Sequence, residues 1–346
     1  MKKMIKAGLV TLTTVVTIAF CFSFVIGGIM RSFSLSDDAA LCAAILSFPS
    51  GSVFPTQANI PTEPARKHEI ISPTAEAETT AKTTHSGDSY PVIEKTITAG
   101  NQEIDGMQIR NTTDFTPDVE ELLSEDLPFE IEDTHQVQVL IYHTHTCESY
   151  MSEDTGEYYD DFYPRSTDES QNVCAVGEAI VSGLKERGIG AVHDTTLHDY
   201  PSYDGSYDRS YDTVQEYIEK YPDIKVTIDI HRDSMTAEDN TKYKPTCIYN
   251  GRKAAQIMIM TGRNVEDDRF LFWEENLIFA VKRQHKCDEL YEDFTRPLNL
   301  GDYTYNMNVN NGSLLIEVGT DANTLEEAVL SGEMLANALS SVLQNP

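Results

Sequence analysis

The sequence predicts an α/β domain, a single mixed sheet with helices on both faces, preceded by a transmembrane helix and a flexible linker. Short β-branched runs at residues 137–142, 226–230, 256–260 and 314–318 have the length and composition of buried strands. Between and after them, apolar residues recur at helical spacing. Val173, Val176, Ile180 and Leu184 form one such face, and Phe270, Trp273, Leu277 and Val281 a second. A last helix over residues 324–343 turns Leu325, Ala328, Leu335 and Leu339 inward. Strands alternating with helices bury both sheet faces, which is the α/β arrangement.

The N-terminal part follows other rules. Residues 7–30 carry no charge and can cross a hydrocarbon core as a helix, which needs roughly 20 residues. Lys2, Lys3 and Lys6 precede the run, and Arg31 alone follows before Asp37 and Asp38. The positive-inside rule therefore leaves the tip in the cytoplasm and sends the rest outside. A cleaved signal peptide starts the same way, but this run exceeds the usual apolar core and no A-x-A site follows directly. Over residues 50–100 Pro, Thr, Ser, Ala and Glu dominate, with Pro55, Pro61, Pro64, Pro73 and Pro91 recurring. Such a stretch buries too little apolar surface to offset its ordering entropy and reads as a tether. The expected division is residues 1–31 for tip and anchor, 32–129 for a largely disordered extracytoplasmic linker, and 130–346 for the catalytic domain.

A formal net charge of −30 repels phosphates, so it argues against nucleic acid as a partner and against adhesion to an anionic bilayer. The six cysteines, Cys21, Cys42, Cys147, Cys174, Cys247 and Cys287, contain no CxxC pair. Buried free thiols are expected rather than a disulfide scaffold or a cysteine zinc site.

Chemistry-bearing residues collect where strands end. The first strand runs into His143-Thr-His145-Thr-Cys147-Glu148, the second into His231-Arg232-Asp233-Ser234, and the last delivers Glu317 ahead of Gly319. In open α/β sheets functional groups gather at the carboxyl ends of strands. Imidazoles and a carboxylate at one rim are the donors of a catalytic zinc site. By strand alternation His143 and His145 share a face, as do Asp229 and His231, so Asp229 is expected to orient an imidazole. A glutamate in an apolar strand is costly to bury without a partner, which marks Glu317 as functional. The segment 193–210, rich in tyrosine, suits a groove for sugar or peptide, and His198 within it is a reserve ligand.

His143-Thr-His-Thr-Cys-Glu-Ser-Tyr150, the segment from His193 to Ser210, Asp229-Ile-His-Arg-Asp-Ser234 and Ile316-Glu-Val-Gly319 together closely resemble stage II sporulation protein P of endospore-forming bacteria, over roughly residues 130–346. That family resembles a divergent branch of the zinc-dependent N-acetylmuramoyl-L-alanine amidases. The resemblance implies an amidase-like fold, Zn²⁺ held by His145, His231 and a third ligand, and Glu317 as the general base. Glu169 is the nearest match to the amidases' ligand glutamate, with His198 and Glu148 as rivals. Arg232 is expected to stabilise the oxyanion. The implied activities are amidase and endopeptidase cleavage of peptidoglycan, at the septal membrane during forespore engulfment, with stage II sporulation proteins D and M as partners. Two other readings stay open: an inactive module docking on wall or partner, and a zinc deacetylase of wall sugars.

Overall fold

The computed structural model describes residues 87–131, 136–263 and 270–344. The expected transmembrane run and the linker as far as residue 86 lie outside them. Among the described residues no helix is long and apolar enough to cross a membrane.

In chain order the elements are β1 (Ser89–Lys95), β2 (Gln102–Ile104), β3 (Met107–Asn111), α1 (Val119–Ser124), β4 (Val139–Tyr142), β5 (Glu157–Tyr159), α2 (Val173–Glu186), β6 (Ala191–His193), α3 (Ser206–Lys220), β7 (Val226–Asp233), β8 (Lys242–Tyr249), β9 (Arg252–Ala255), β10 (Ile257–Gly262), α4 (Trp273–Leu290), β11 (Leu298–Gly301), β12 (Ser313–Thr320) and α5 (Leu325–Gln344). The large sheet has the order β2-β3-β11-β10-β12-β7-β4-β6. β12, β7, β4 and β6 run parallel, while β10 is antiparallel to β12 and β2 to β3, so the sheet is mixed. Its central strands are near-continuous apolar runs because both faces are covered. Val139 and Ile141 of β4 pack into the main core with Val176 and Ile180 of α2, while Leu140 and Tyr142 turn the other way onto Val214 of α3. Helices on both faces follow directly from that alternation.

Two expectations are corrected. There are two sheets, not one: β5-β1-β8-β9 forms a second, smaller sheet. Its leading strand β1 alternates between exposed and half-buried residues and contains Pro91, so it lacks the continuous apolar run that betrays a central strand. Nor is the stretch before residue 130 disordered throughout. β3 extends the large sheet by pairing with β11, Ile109 opposite Leu298, and Ile109 is fully buried. Such short or half-polar strands leave only a weak signal in the chain, and their order comes from the ladder they join.

The small sheet is tied to the main domain by a buried amine. Lys244 of β8 reaches Glu327 at 3.0 Å, Asp154 at 2.9 Å and Glu94 at 3.5 Å. Glu327 also closes a capping box at the start of α5, accepting from Thr324 N at 3.0 Å while Thr324 Oγ1 accepts from Glu327 N. A buried ammonium needs such company, since unpaired it would cost several kcal/mol.

Ile109→Ala should therefore destabilise the protein by about 2–5 kcal/mol in urea unfolding. A fragment starting at residue 130 should unfold at lower urea than one starting at 87; equal midpoints would mean that β1–β3 add nothing to the domain.

Candidate active site

β4 ends at Tyr142 and the chain turns at once. The turn is pinned by Asp229 of β7, whose buried carboxylate accepts from Thr144 N at 2.8 Å and from Thr144 Oγ1 at 2.6 Å. The same carboxylate lies 2.9 Å from His231 Nε2, an ion pair rather than a well-aligned hydrogen bond. Asp229 thus lies beside the His231 ring, as their shared strand face predicts. β7 continues through His231, and Glu317 of β12 sits beside it in the parallel ladder. Gly319, at φ +64°, follows at a register shift in β12, where a Cβ would strike the Asn323 side chain at 2.6 Å.

These turns and strand ends bring His145 and His231 together, ring centroids 5.0 Å apart. Glu148 Oε2 is 3.7 Å from His231 Nδ1 and accepts from Arg232 N at 3.1 Å. His145, Glu148, His231 and Glu317 line one cavity of ≈250 Å³. Tyrosines wall it. Tyr203 stacks on His145 with centroids 4.4 Å apart and its hydroxyl is 2.9 Å from His145 Nε2. Tyr207, from α3, stacks on Tyr305 at 5.4 Å.

The electrostatics split each pair of like groups. Burial pushes His145 down to about 4, against the pull of Glu148. Burial also opposes the charged form of His231, but Asp229, Glu148 and Glu317 outweigh it and lift that imidazole to about 10. Burial would raise Glu148, yet Arg232, His231 and His145 hold it below the ordinary carboxylate range. For Glu317 burial prevails, with Asp233 and Glu148 adding to it against His231, and the carboxyl is raised to about 8. Glu317 Oε2 is buried without a hydrogen-bond partner.

The sequence-predicted residues divide cleanly. His145, His231 and Glu317 meet. Glu148, one of the rivals for the third ligand, joins them. Glu169 does not: it is exposed and absent from the cavity wall, and the groups that feel its charge are Cys174 and His193. The turn after β4 places Glu148 three residues beyond His145. His198 lies outside the cavity, its Nδ1 turned to His143 O at 2.8 Å and its Nε2 to Thr213 Oγ1 at 2.9 Å. Arg232 lines the cavity, but its guanidinium donates to the carbonyls of Ser149, at 3.1 Å, and Pro164, at 2.7 Å. It holds Glu148 in place through its backbone N–H and its charge, and the hydrogen bonds of its guanidinium run to backbone carbonyls. His143 and His145 do not share a face, because the strand stops before them; His143 turns instead to His193, 2.8 Å away. The tyrosine-rich segment is loop until α3 begins at Ser206. Tyr305 and Met260 come from elements with no motif, and no sequence signal marked them.

The sequence model of stage II sporulation protein P (SpoIIP) matches residues 47–340. The chain belongs to that family. A curated relative, stage II sporulation protein P of Bacillus subtilis (strain 168), is 28% identical over 219 residues, 59% of this chain and 50% of that protein, so the chain spans about half the length of the curated relative it matches. Among solved structures, an N-acetylmuramoyl-L-alanine amidase from Clostridium difficile 630 is similar at 13% identity, covering 61% of this chain and 99% of that one, with a TM-score of 0.36. AmiC2, the N-acetylmuramoyl-L-alanine amidase of Nostoc punctiforme, is similar at 12% identity, covering 60% and 95%, with a TM-score of 0.34.

In this member of the stage II sporulation protein P family the donor set suits a zinc ion. Two imidazoles and a carboxylate held ionised are nitrogen and oxygen ligands of the kind a catalytic zinc takes. The orphaned Glu317 Oε2 beside them lacks the partner that its burial demands. His145, Glu148 and His231 would hold the ion.

A pH effect follows for the metal-free chain. Glu317 is raised above its ordinary 4.5, so its contribution to stability is complete below about 4.5 and is lost as pH rises through about 8. Urea unfolding of the chelated protein between those limits should show that loss in wild type and a smaller one in Glu317→Gln. Identical slopes would show that Glu317 does not titrate there.

Proposed function

We propose that the chain is a zinc-dependent peptidoglycan hydrolase, an N-acetylmuramoyl-L-alanine amidase with endopeptidase activity. The observation that carries this reading is the convergence of His145, Glu148 and His231 on one cavity, with an unpartnered Glu317 beside them. Family membership agrees with it, and the tyrosine wall suits a glycan or peptide.

When bound, zinc supplies Lewis-acid polarisation of the scissile carbonyl and acidifies a water. The chain's own residues do the rest. Glu317, whose raised pKa suits both giving and taking a proton, accepts the proton of the attacking water and returns it to the leaving amine. Asp229 keeps His231 oriented and Arg232 keeps Glu148 charged and in position. Tyr203, 45% exposed at the rim, must swing from His145 Nε2 as ligand or substrate enters, and its ring then forms a wall against the substrate.

The setting proposed is a single-pass membrane protein with its N-terminus in the cytoplasm and its catalytic domain in the septal space facing the forespore. There it would degrade septal wall during engulfment, with stage II sporulation proteins D and M. The net charge of −30 is compatible with a partner-guided enzyme that does not itself cling to anionic wall or lipid.

The test is digestion of purified peptidoglycan with product identification by mass spectrometry. Free stem peptides should appear, vanish with chelator and return with zinc. Glu317→Gln, close in shape, should lower the rate by about 10²–10⁴-fold with its metal content kept. His231→Ala should lose the metal of this site together with cleavage while circular dichroism reports a folded chain. Released acetate in place of peptide would replace the amidase reading by a deacetylase, and a folded, zinc-loaded chain that cuts nothing, alone or with its partners, would make it a binding module.

A further inference from the structure

On the far side of the turn that carries His145, three more ligating side chains meet. They are His143, just after β4, His193 at the end of β6, and Cys174 in the first turn of α2; one donor atom from each lies within 4.8 Å of the others. All three are outside the cavity described above. His143 and Cys174 are buried and His193 nearly so.

The hydrogen bonds decide which ring atoms face inward. His143 Nδ1 is 2.9 Å from the carbonyl of Ile230, which can only accept, so that nitrogen carries the proton and Nε2 carries a lone pair. His193 Nδ1 faces the carboxylate of Glu178 at 3.5 Å, which likewise leaves Nε2 as its inward atom. The two Nε2 atoms are 2.8 Å apart. Two lone pairs at that distance repel, so a positive centre belongs between them, a proton or a metal. An imidazole whose outer N–H is held by a carbonyl or a carboxylate is the usual dress of a metal ligand. Space has been left as well. Gly177, one helical turn after Cys174, has no side chain; a Cβ there would lie 2.4 Å from His193 Nε2 and 2.8 Å from His143 Nε2. The adjoining Glu178 is exposed, as is Glu169, and together they give a cation an acidic way in.

We propose that His143, Cys174 and His193 form a second metal site, for zinc, separate from the catalytic one. Two Zn–N bonds of about 2.0–2.1 Å at a tetrahedral angle put the nitrogens roughly 3.3 Å apart, so the rings need open by only a few tenths of an ångström. On binding, Cys174 releases its thiol proton to solvent and becomes a thiolate, a soft donor that the catalytic set lacks. The ion would brace the ends of β4 and β6 against α2. Because His143 also holds the carbonyl preceding His231, the brace sits directly behind the catalytic residues.

The full-length chain, purified in detergent and stripped of metal, is titrated with Co²⁺, which reports thiolate ligation by a sulfur-to-metal charge-transfer band in the near ultraviolet. Two equivalents are expected, one of them with the band. Cys174→Ser should abolish the band and that equivalent, and His193→Gln should weaken it at least about tenfold. Wild-type protein without the band would overturn the proposal and leave a proton between the rings; a band that survives Cys174→Ser would assign it to another thiol such as Cys147. The catalytic set has only nitrogen and oxygen donors, so a single equivalent carrying the band would sustain this site and overturn the catalytic zinc instead. The wild-type spectrum decides the matter even if a variant fails to fold.

Discussion

A single buried carboxylate organises the site. Asp229 lies on a central strand with no exposed surface, and a lone carboxylate there would cost several kcal/mol. It is held by the amide and hydroxyl of Thr144 from the neighbouring turn and by His231 from its own strand. Those contacts do two things at once. They satisfy the charge, and they lock the turn after β4 onto β7, which brings His145 beside His231. The meeting of these side chains at the cavity therefore goes together with neutralising one interior charge. Thr144 Oγ1 is also 2.7 Å from Ser210 Oγ, which carries the same restraint into α3 and its tyrosines.

The second organising feature is the divergence of like groups. Two imidazoles share the cavity, one kept neutral by burial and one kept charged by its carboxylates. Two glutamates share it as well, one ionised beside Arg232 and one raised by its apolar strand. Environments that push paired titratable groups apart mark a functional site. Arg232 is central to this division although its guanidinium is occupied by backbone carbonyls. It contributes charge and a backbone N–H, and both act on Glu148. The same turn that gives His145 to the cavity sends His143 to the opposite side, where it meets His193 and Cys174.

The parallel core was legible in the chain. Strands such as β4, β7 and β12 are buried on both faces and must be apolar throughout, and helices packed on them must repeat at helical spacing. The expected segments agree with the observed ones to within a few residues, His231 being carried inside β7 rather than after it. The small sheet and β2–β3 were not legible. Their strands are short or half-polar, and the linker composition around them, including Pro91, points the other way. What orders them is pairing with β5, β8 and β11 and the long-range Lys244 cluster, none of which leaves a local pattern.

By itself the sequence determined the strand-end chemistry: His143 and His145 after one apolar strand, His231 at the end of a second with Asp229 two residues before it on the same face, and Glu317 in a third. Only the tertiary structure showed that Glu148 and not Glu169 lines the cavity, that His145 and not His143 faces it, and which partners Arg232 and His198 already hold. Each of those choices turns on where a loop folds back and which hydrogen bonds its backbone already takes, and loops carry no periodicity from which this can be read.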